Sequence, residues 1–502
     1  MKFSVALPTP LHADAMRHLV RADGQEDVCF ALWNPSRGRD RQSALVEALV
    51  LPQAGERRVH GNASFEPQYF ERALGLARAK GCGLAFMHSH PALGWQGMSP
   101  DDVRAEQGHA AASLGGTDLP LVGLTIGTDG AWSARFWPRV APRTYECRWC
   151  ESVRVVGDRL TATFNEDLLP APGLREELRR TISAWGERAQ RDLARLRIGV
   201  VGAGSVGSII GEALARMGIC DVRLLDFDIV ERVNLDRLLS ATSEDADAET
   251  LKVYALAKRM RFAATAKPFL VEALDASVTE DGGFRAALDC DVIFSCVDRP
   301  WPRYALNVIA YAHLIPVIDG GIDLIAMANG RGLKRGTWRA HTAAPTRRCL
   351  ECLGQYEPCD VSLERSGMLD DPKYINGLSI DHALRRNENV FAFSLSTASL
   401  ELDQFLRMSI PHPGHASAGT QTYHFVAAQI DSDQRPCLPS CPFCANIARG
   451  DRAELGEVTG RHHAAEEARA KRALKPTKRP WWKRLTESFA ALRKQLPLRV
   501  RK

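Results

Sequence analysis

Residues 197–237 read RIGVVGAGSVGSIIGEALARMGICDVRLLDFDIVERVNLDR, and this stretch decides the fold of the chain. The β-branched apolar run at 198–201 predicts a buried strand. A glycine-rich turn then leads into a helix whose first amides favour a phosphate group. A second strand, at 222–225, ends at Asp226, where an acid can bind a ribose hydroxyl. The stretch therefore predicts a βαβ nucleotide site in an α/β fold, with three turn glycines: Gly202, Gly204 and Gly207.

An NAD-binding Rossmann unit uses the same glycine pattern, so the residues that follow must distinguish an NAD site from a site for another nucleotide. A dehydrogenase needs only one acid for the ribose. This chain adds further charged and amide side chains, and the last of them ends an apolar strand that begins at Val292. Such a set suits a triphosphate and Mg²⁺, and hydride transfer does not require it. The predicted ATP site comprises the three glycines together with Asp226, Asp228, Asn234, Arg237, Lys252 and Asp298.

These motifs resemble the ThiF/MoeB family, the adenylating core of ubiquitin-activating enzymes. The family pattern runs G-x-G-x-x-G, D-x-D-x-V-x-x-x-N-L-x-R, a Lys, and then a D-x-x-D-N-like strand end. The resemblance implies that Asp226 binds the ribose, that Asp298 holds Mg²⁺, and that the phosphates contact Asn234, Arg237 and Lys252. Two departures are Arg299, where the family usually has Asn, and a slightly long gap before Lys252.

A second candidate site lies in the N-terminal 150 residues, where LAFMHSHP predicts a buried strand. His88 and His90 point to one side of such a strand because residues i and i+2 share a face. Ser99 and Asp102 follow at the start of a predicted helix. Two imidazoles and a carboxylate make three ligands for a catalytic zinc ion and leave its fourth position to water.

This second pattern resembles the JAB/MPN (JAMM) metalloprotease family, whose motif is H-x-H-x(7)-S-x-x-D. The spacer before Ser99 is eight residues here, one longer than in the motif. The resemblance implies hydrolysis of an isopeptide or peptide bond after a ubiquitin-like C-terminus. It also implies that Glu26 is the general base, with Asp27 as the neighbouring alternative, and that Ser99 stabilises the oxyanion.

The cysteines, thirteen in all, favour metal binding in a reducing compartment over a disulfide framework. Two CxxC pairs predict a structural zinc site made by Cys349, Cys352, Cys441 and Cys444. Cys437 is expected to pack against this zinc. Cys359 is a candidate thioester residue, although the neighbouring Glu357 and Asp360 disfavour a thiolate. A third pair, Cys147 and Cys150, has no partner pair nearby and is interpreted as incidental.

A Pro/Gly-containing stretch at 169–173 separates the two motif regions, and a change in charge marks the tail. We expect a hydrolase-like domain at 1–150, a linker at 151–173, an adenylating domain at 174–450 and a basic tail at 451–502. The tail carries 15 Lys/Arg against 6 Asp/Glu, so residues 1–450 have a net charge of −4 and give no footprint for nucleic acid. A tail face of Trp481, Trp482 and Leu485 suits an anionic membrane surface or an acidic partner, and a mobile solubilising tail is the alternative.

The full hypothesis is a cytoplasmic bifunctional enzyme with ATP, Mg²⁺ and two zinc ions as cofactors. Its expected partners are a ubiquitin-like or sulfur-carrier protein with a C-terminal Gly, and a conjugating enzyme. The family resemblance further implies a homodimer in which Arg179 or Arg180 reaches the ATP of the second subunit, and two solvated arginines are the alternative. Sulfur-carrier activation for cofactor or cysteine synthesis is a second enzyme hypothesis, and a binding scaffold is the non-enzyme alternative.

Overall fold

The computed structural model describes residues 1–60, 62–327, 331–377 and 388–474. The chain forms two α/β units, each built around a large sheet. None of the helices in these ranges is long and apolar enough to span a bilayer. The predicted tail face at Trp481, Trp482 and Leu485 lies outside the described residues.

The first unit runs from β1 to β13. Its elements are β1 (Lys2–Pro8), α1 (Thr9–Leu19), β2 (Val28–Arg37), β3 (Arg41–Val50), β4 (Arg57–His60), β5 (Asn62–Phe65), α2 (Pro67–Lys80), β6 (Gly83–Ser89), α3 (Pro100–Thr117), β7 (Leu121–Ile126), β8 (Trp132–Trp137), β9 (Arg139–Ala141), β10 (Thr144–Tyr145), β11 (Arg148–Trp149), β12 (Ser152–Val156) and β13 (Leu160–Phe164).

Nine of these strands form one sheet in the order β11-β8-β7-β6-β2-β3-β1-β12-β13. Apolar side chains alternate across it, as the period of two requires. On β2, Ala31 and Trp33 pack in the core on the α1 side, and Phe30 and Leu32 pack in the core that contains α2. β6 and β7 are parallel neighbours joined by α3. This crossover places the start of α3 next to the carboxyl end of β6.

The second unit contains the remaining elements. These are α4 (Arg179–Trp185), α5 (Glu187–Arg195), β14 (Arg197–Val201), α6 (Ser205–Arg216), β15 (Asp221–Leu225), α7 (Ser243–Asp247), α8 (Lys252–Ala263), β16 (Leu270–Leu274), α9 (Asp281–Ala287), β17 (Val292–Ser295), α10 (Pro300–Ala312), β18 (Val317–Ala326), β19 (Leu333–Ala343), α11 (Pro358–Arg365), α12 (Pro372–Gly377), α13 (Phe391–Ser409), β20 (Thr420–His424), β21 (Gln429–Asp433), α14 (Pro442–Ala445) and α15 (His463–Leu474).

The second sheet has the order β16-β15-β14-β17-β18-β19-β20-β21. Strands β16 to β18 pair in parallel, and β18 to β21 pair antiparallel. Helices α6, α8 and α13 cover one face, and α9 and α10 cover the other. The parallel half is a Rossmann-like arrangement, as the βαβ pattern predicts, and in such sheets ligands bind at the carboxyl ends of the strands.

The structure revises the predicted linker at 151–173. β12 pairs in parallel with β1, from Ser4 opposite Ser152 onward, and β13 pairs with β12. Sequence reading missed these strands because their partner lies about 150 residues earlier in the chain. Val156 and Phe164 also join the core that packs α6, so the two units share buried apolar surface rather than a flexible connection.

A buried charge network also joins the units. Arg41 of β3 donates to Asp291 at 2.5 Å, and Asp289 accepts from the backbone nitrogen of Arg41 at 2.8 Å and pairs with Arg223. Burial raises the pKa of Asp291, but the charges of Arg41 and Arg154 outweigh burial and hold that pKa at about 2. A buried carboxylate is stable only when it is paired in this way.

Candidate functional site

The glycine turn after β14 has the geometry that a phosphate site needs. Gly202 has φ of +94°, a backbone conformation that favours glycine. A Cβ at Gly202 would overlap the carbonyl oxygen of Cys296, and one at Gly207 would overlap that of Gly202. Gly204, in contrast, has open space around its missing Cβ. The turn therefore brings the first amides of α6 close to two strand ends, where they can face an anion.

Asp226 fixes the same turn from the end of β15. Its Oδ2 accepts from the backbone nitrogen of Ala203 at 2.7 Å, and its Oδ1 accepts from that of Asp228 at 2.8 Å. Burial, together with the charge of Asp228, raises the pKa of Asp226 to about 6. The predicted ribose ligand thus lies directly beside the phosphate turn.

Lys252 completes this charged edge. Its Nζ lies 2.8 Å from Oδ2 of Asp228. Burial lowers the pKa of Lys252, but Asp226 and Asp228 outweigh burial and raise it, with a smaller contribution from Asp298. Lys252 therefore stays cationic, and the acids that follow β15 and β17 both lie within its electrostatic range.

Asn234 and Arg237 lie close to this edge but are engaged in their own turn. Asn234 accepts from the backbone nitrogen of Glu231 at 3.1 Å, and Arg237 donates to the carbonyl of Val233 at 2.7 Å. The backbone of Arg237 accepts from the hydroxyl of Ser205 at 3.2 Å, next to the start of α6. The structure thus places both residues beside the glycine turn. Among the described hydrogen bonds, neither side chain contacts Asp226 or Lys252.

Sequence reasoning missed a second set of buried charges around Asp319 of β18. Asp319 accepts from Ser295 at 2.7 Å and from Arg339 at 2.8 Å. Glu401 of α13 lies against Gly320, and within the described part of the chain neither of its carboxylate oxygens has a hydrogen-bond partner. Burial, with the charge of Asp319, raises the pKa of Glu401 well above its ordinary value. The only available signal was that Asp319 ends an apolar run, like Asp226 and Asp298.

The cysteine cluster differs from the predicted one in a single member. Cys349, Cys352, Cys437 and Cys441 bring their sulfur atoms within 4.8 Å of one another. The Sγ atoms of Cys349 and Cys441 are 3.6 Å apart, and two thiolates on one tetrahedral zinc with bonds of about 2.3 Å would be separated by about 3.8 Å. These residues fit zinc.

Cys444, which the sequence pattern assigned to the zinc, lies outside this group. It is exposed within α14. Cys437, expected only to pack nearby, is the fourth member of the cluster. There its Sγ accepts from the backbone nitrogen of Cys349 at 3.0 Å.

The N-terminal cluster lies at the carboxyl end of β6. Nε2 of His88 lies 3.2 Å from Nε2 of His90 and 3.4 Å from Oδ1 of Asp102, and His90 lies 3.3 Å from Oδ2 of Asp102. Zinc bound at about 2.05 Å separates its ligand atoms by about 3.3 Å. The three side chains therefore fit a tetrahedral ion with one position left over.

Ser99 and Asp102 hold each other at the start of α3. The hydroxyl of Ser99 accepts from the backbone nitrogen of Asp102 at 3.1 Å, and Oδ2 of Asp102 accepts from that of Ser99 at 2.7 Å. Burial raises the pKa of Asp102, but the hydrogen bonds from His88 and His90 outweigh burial and hold it well below its usual range. This capping box fixes the carboxylate opposite the imidazoles.

The two candidate bases differ sharply in their surroundings. Asp27 is buried, pairs with Arg57 at 2.5 Å and lies 3.5 Å from Arg21. The carbonyl of Asp27 accepts from the backbone nitrogen of Ser89, its own backbone nitrogen donates to the Ser89 hydroxyl, and Val28 pairs with His88. Continuing that antiparallel register by one residue puts Glu26 opposite His90, on the imidazole face. The geometry therefore favours Glu26 over Asp27.

A buried network that the sequence did not suggest supports His88. Arg135 of β8 pairs with Glu106 of α3 and donates to the hydroxyl of Thr125 at 2.6 Å, and that hydroxyl lies 3.3 Å from Nε2 of His88. Glu106 also accepts from the indole of Trp137 at 2.6 Å. Glu106 lies one turn after Asp102 on the same helix face, and this spacing was the sequence feature that could have indicated it.

The remaining candidate residues lie apart from both sites. Arg179 and Arg180 are exposed on α4. Cys359 is exposed at the start of α11, with its sulfur 3.9 Å from the carboxylate of Asp360. Burial raises the pKa of Cys147 to about 11, and Cys150 is fully buried. Arg299 donates to the carbonyl of Leu369 at 3.2 Å, in the connection after α11.

Comparison with known proteins found similarities in the second unit. Residues 178–367 match the model of the ThiF family. The chain is 26% identical over 257 residues to the sulfur carrier protein ThiS adenylyltransferase of Bacillus subtilis, covering 48% of this chain and 70% of that one. It is 29% identical over 168 residues to the SAMP-activating enzyme E1 of Haloferax volcanii, covering 34% and 57%. It is 33% identical over 136 residues to ubiquitin-like modifier-activating enzyme 5 of Aedes aegypti, covering 25% and 34%.

Among solved structures, Escherichia coli MccB with ATP covers 54% of this chain and 75% of its own, at 15% identity and a TM-score of 0.41. The family match is confined to residues 178–367, and the chain spans only part of each relative. The family match does not extend to the first unit, so the JAB/MPN resemblance of residues 1–150 stays a prediction.

Proposed function

We propose that the second unit adenylates the C-terminal Gly of a ubiquitin-like or sulfur-carrier protein, using ATP and Mg²⁺. The observation that carries this proposal is the placement of Asp226 and Lys252 beside the glycine turn, connected through Asp228, within a segment that matches the ThiF family. A hydride-transfer site would not need Lys252 or Asp298. The names of the B. subtilis, H. volcanii and A. aegypti relatives point to the same substrate class.

In this reaction a carboxylate oxygen of the protein substrate attacks the α-phosphorus of ATP. The bond between that phosphorus and the bridging oxygen breaks, and pyrophosphate leaves. The chain contributes cationic and dipolar groups: Lys252 and the amides at the start of α6 balance the phosphate charge. Mg²⁺, held by Asp298, would offset the charge that develops on the leaving pyrophosphate. Asp228 positions Lys252 through their 2.8 Å ion pair.

Exchange of labelled pyrophosphate into ATP tests this proposal, because the adenylation step is reversible. Exchange should require a Gly-terminated ubiquitin-like protein, and Asp298→Ala or Lys252→Ala should lower it by about a hundredfold or more. Lys258→Ala is the matched control, since Lys258 is exposed on the same helix α8. Exchange that survives Asp298→Ala would contradict the magnesium assignment.

We further propose that the first unit hydrolyses a peptide or isopeptide bond after such a modifier, with a zinc-activated water. The spacing of His88, His90 and Asp102 supports this proposal, because it matches a tetrahedral ion with an open position. Glu26, opposite His90 by register, would accept the proton of the water. The hydroxyl of Ser99 caps α3 as an acceptor and keeps its own proton available to an oxyanion.

Cleavage of a modifier fusion tests this second proposal. Glu26→Ala should lower the rate by about a hundredfold or more while the fold stays intact, because Glu26 is not part of the core. Asp27→Ala should instead destabilise the protein by about 2–3 kcal/mol, because it removes the buried carboxylate that pairs with Arg57 and accepts from the backbone nitrogen of Val28. If neither variant changes the rate of cleavage, the hydrolase proposal is wrong.

Whether the adenylate goes to conjugation or to sulfur transfer decides the remaining partners. A conjugating enzyme would require a thioester, and the candidate Cys359 is exposed, with its sulfur 3.9 Å from the carboxylate of Asp360. We propose the sulfur-carrier alternative on this point. Incubation with ATP and the carrier should give no thiol-sensitive adduct on Cys359, and such an adduct, lost in Cys359→Ser, would favour conjugation.

A further inference from the structure

Helix α15 lies at the carboxyl edge of the second sheet, where the nucleotide site is expected. Arg472 donates to the carbonyl of Phe227 at 2.7 Å and to the two oxygens of Asp275 at 2.9 and 2.7 Å. Arg469, one turn earlier, pairs with Glu280. Phe227 follows β15 and Asp275 follows β16, so one arginine joins two neighbouring strand ends.

The chain leading into α15 is held against the same edge. The carbonyl of Val458 accepts from the indole of Trp301 at 2.9 Å, and Gly460 donates to the carbonyl of Thr279 at 2.8 Å. The imidazole of His462 packs edge-on to the rings of Phe227 and Trp301, at centroid distances of 5.1 and 5.6 Å. We call residues 458–474 the strap. It is docked along its length and is not a free tail in this range.

The order of the strands shows which end of the nucleotide site Arg472 contacts. The phosphate turn follows β14, and Asp226, the expected ribose ligand, follows the adjacent strand β15. The next strand outward is β16, and its end carries Asp275. A nucleotide extended from phosphate to ribose along this edge therefore brings its base to the loops that Arg472 joins.

His462 adds a second, independent observation. It is 4% exposed, and its Nδ1 is buried without a hydrogen-bond partner among the described residues. Its Nε2 lies 3.8 Å from Glu364, which itself accepts from the backbone of Trp301 at 2.8 Å. A buried imidazole nitrogen with an unused hydrogen-bonding capacity, beside the loop that carries Asp226, suits a heterocyclic base with ring nitrogens and an exocyclic amine.

We propose that the strap forms the base-binding wall of the nucleotide site, with His462 facing the purine and Arg472 as the residue that positions it. This inference rests on the proposed adenylation function. Because Arg472 lies at the base end of the site and not at the triphosphate, its loss should weaken the binding of ATP and of AMP to the same extent. Binding and docking are also linked: a nucleotide that binds only the docked form must stabilise the docking of α15.

Calorimetric titration of ATP and AMP into the full-length protein tests the positioning role. Arg472→Ala should raise the Kd for both nucleotides by about tenfold, and Arg472→Lys should restore part of the loss. Lys471→Ala is the matched control, because Lys471 pairs within α15, with Glu467 at 2.7 Å; it should leave both Kd values unchanged. An unchanged Kd in Arg472→Ala, or a change confined to ATP, would overturn the inference.

Hydrogen exchange of the wild-type protein provides a test that needs no variant. Amides of residues 463–474 should exchange at least about tenfold more slowly when AMP is bound. Equal exchange with and without AMP would overturn the strap proposal while leaving adenylation intact. If the wild-type protein binds no ATP at all, the proposed function itself fails, and the strap inference fails with it.

Discussion

The glycine turn after β14 and the histidine loop after β6 are built on the same plan with opposite chemistry. Each follows the carboxyl end of a parallel strand and leads to the first turn of a helix, α6 in one and α3 in the other. The first turn removes side chains and presents amide donors, which favour an anion. The second fills the same position with His88, His90 and Asp102, whose lone pairs favour a cation. Side chains at the turn, rather than its place in the fold, thus decide what binds.

Removal of metal by a chelator should give the largest difference between the activities of the two sites. A mild chelator should abolish cleavage of a modifier fusion, because the histidine site keeps an open position, and should leave pyrophosphate exchange near normal. Both activities are measured on the same sample before and after zinc is restored. Loss of both activities together would mean that the two sites do not act separately.

The cysteine cluster allows a closed four-ligand metal site to be compared with the open histidine site. Cys437→Ser should remove the structural zinc and lower stability by several kcal/mol, whereas Cys444→Ser should retain the metal. Metal analysis with thermal unfolding of both variants provides the measurement. Retention of zinc in Cys437→Ser and its loss in Cys444→Ser would restore the ligand set that the two CxxC pairs predict.

Two glycines of the phosphate turn should respond differently to the same substitution. Gly207→Ala should destabilise the turn by about 2–3 kcal/mol and weaken ATP binding, because the new Cβ would overlap the carbonyl of Gly202. Gly204→Ala should leave the stability within about 0.5 kcal/mol of wild type, since its Cβ would meet open space. Equal destabilisation by both, in chemical unfolding, would show that steric fit does not define the turn.

The smallest expected effect concerns the joint between the units. The pKa of Asp291 is held near 2, below its unfolded value of about 4, so its carboxylate stabilises the fold above pH 4. This stabilisation, about 2 kcal/mol, should be lost as the pH falls from 4 towards 2. Asp291→Asn should unfold more easily than wild type at pH 7, and the difference should shrink below pH 4. A difference independent of pH would exclude this carboxylate as its cause.

Whether a feature could be predicted from the sequence depended on how far apart in the chain its interacting residues lie. The glycine turn, Asp226 and Lys252 belong to local motifs, and in the structure they lie close together. β12 escaped notice because its strand partner is β1, at the other end of the unit. Docking of α15 depends on Arg472 and Asp275, which lie 197 residues apart. The choice of Cys437 over Cys444 depends on the path of a loop, which residue spacing does not encode.

Native mass spectrometry of the full-length protein with ATP and Mg²⁺ tests most directly the claim that one chain holds an anion site and a cation site at matching strand ends. We expect two zinc ions and one nucleotide per chain in the wild type. Lys252→Ala should lose the nucleotide and keep both zinc ions, and His90→Ala should lose one zinc ion and keep the nucleotide. Wild-type protein without nucleotide, or loss of zinc in Lys252→Ala, would contradict the account.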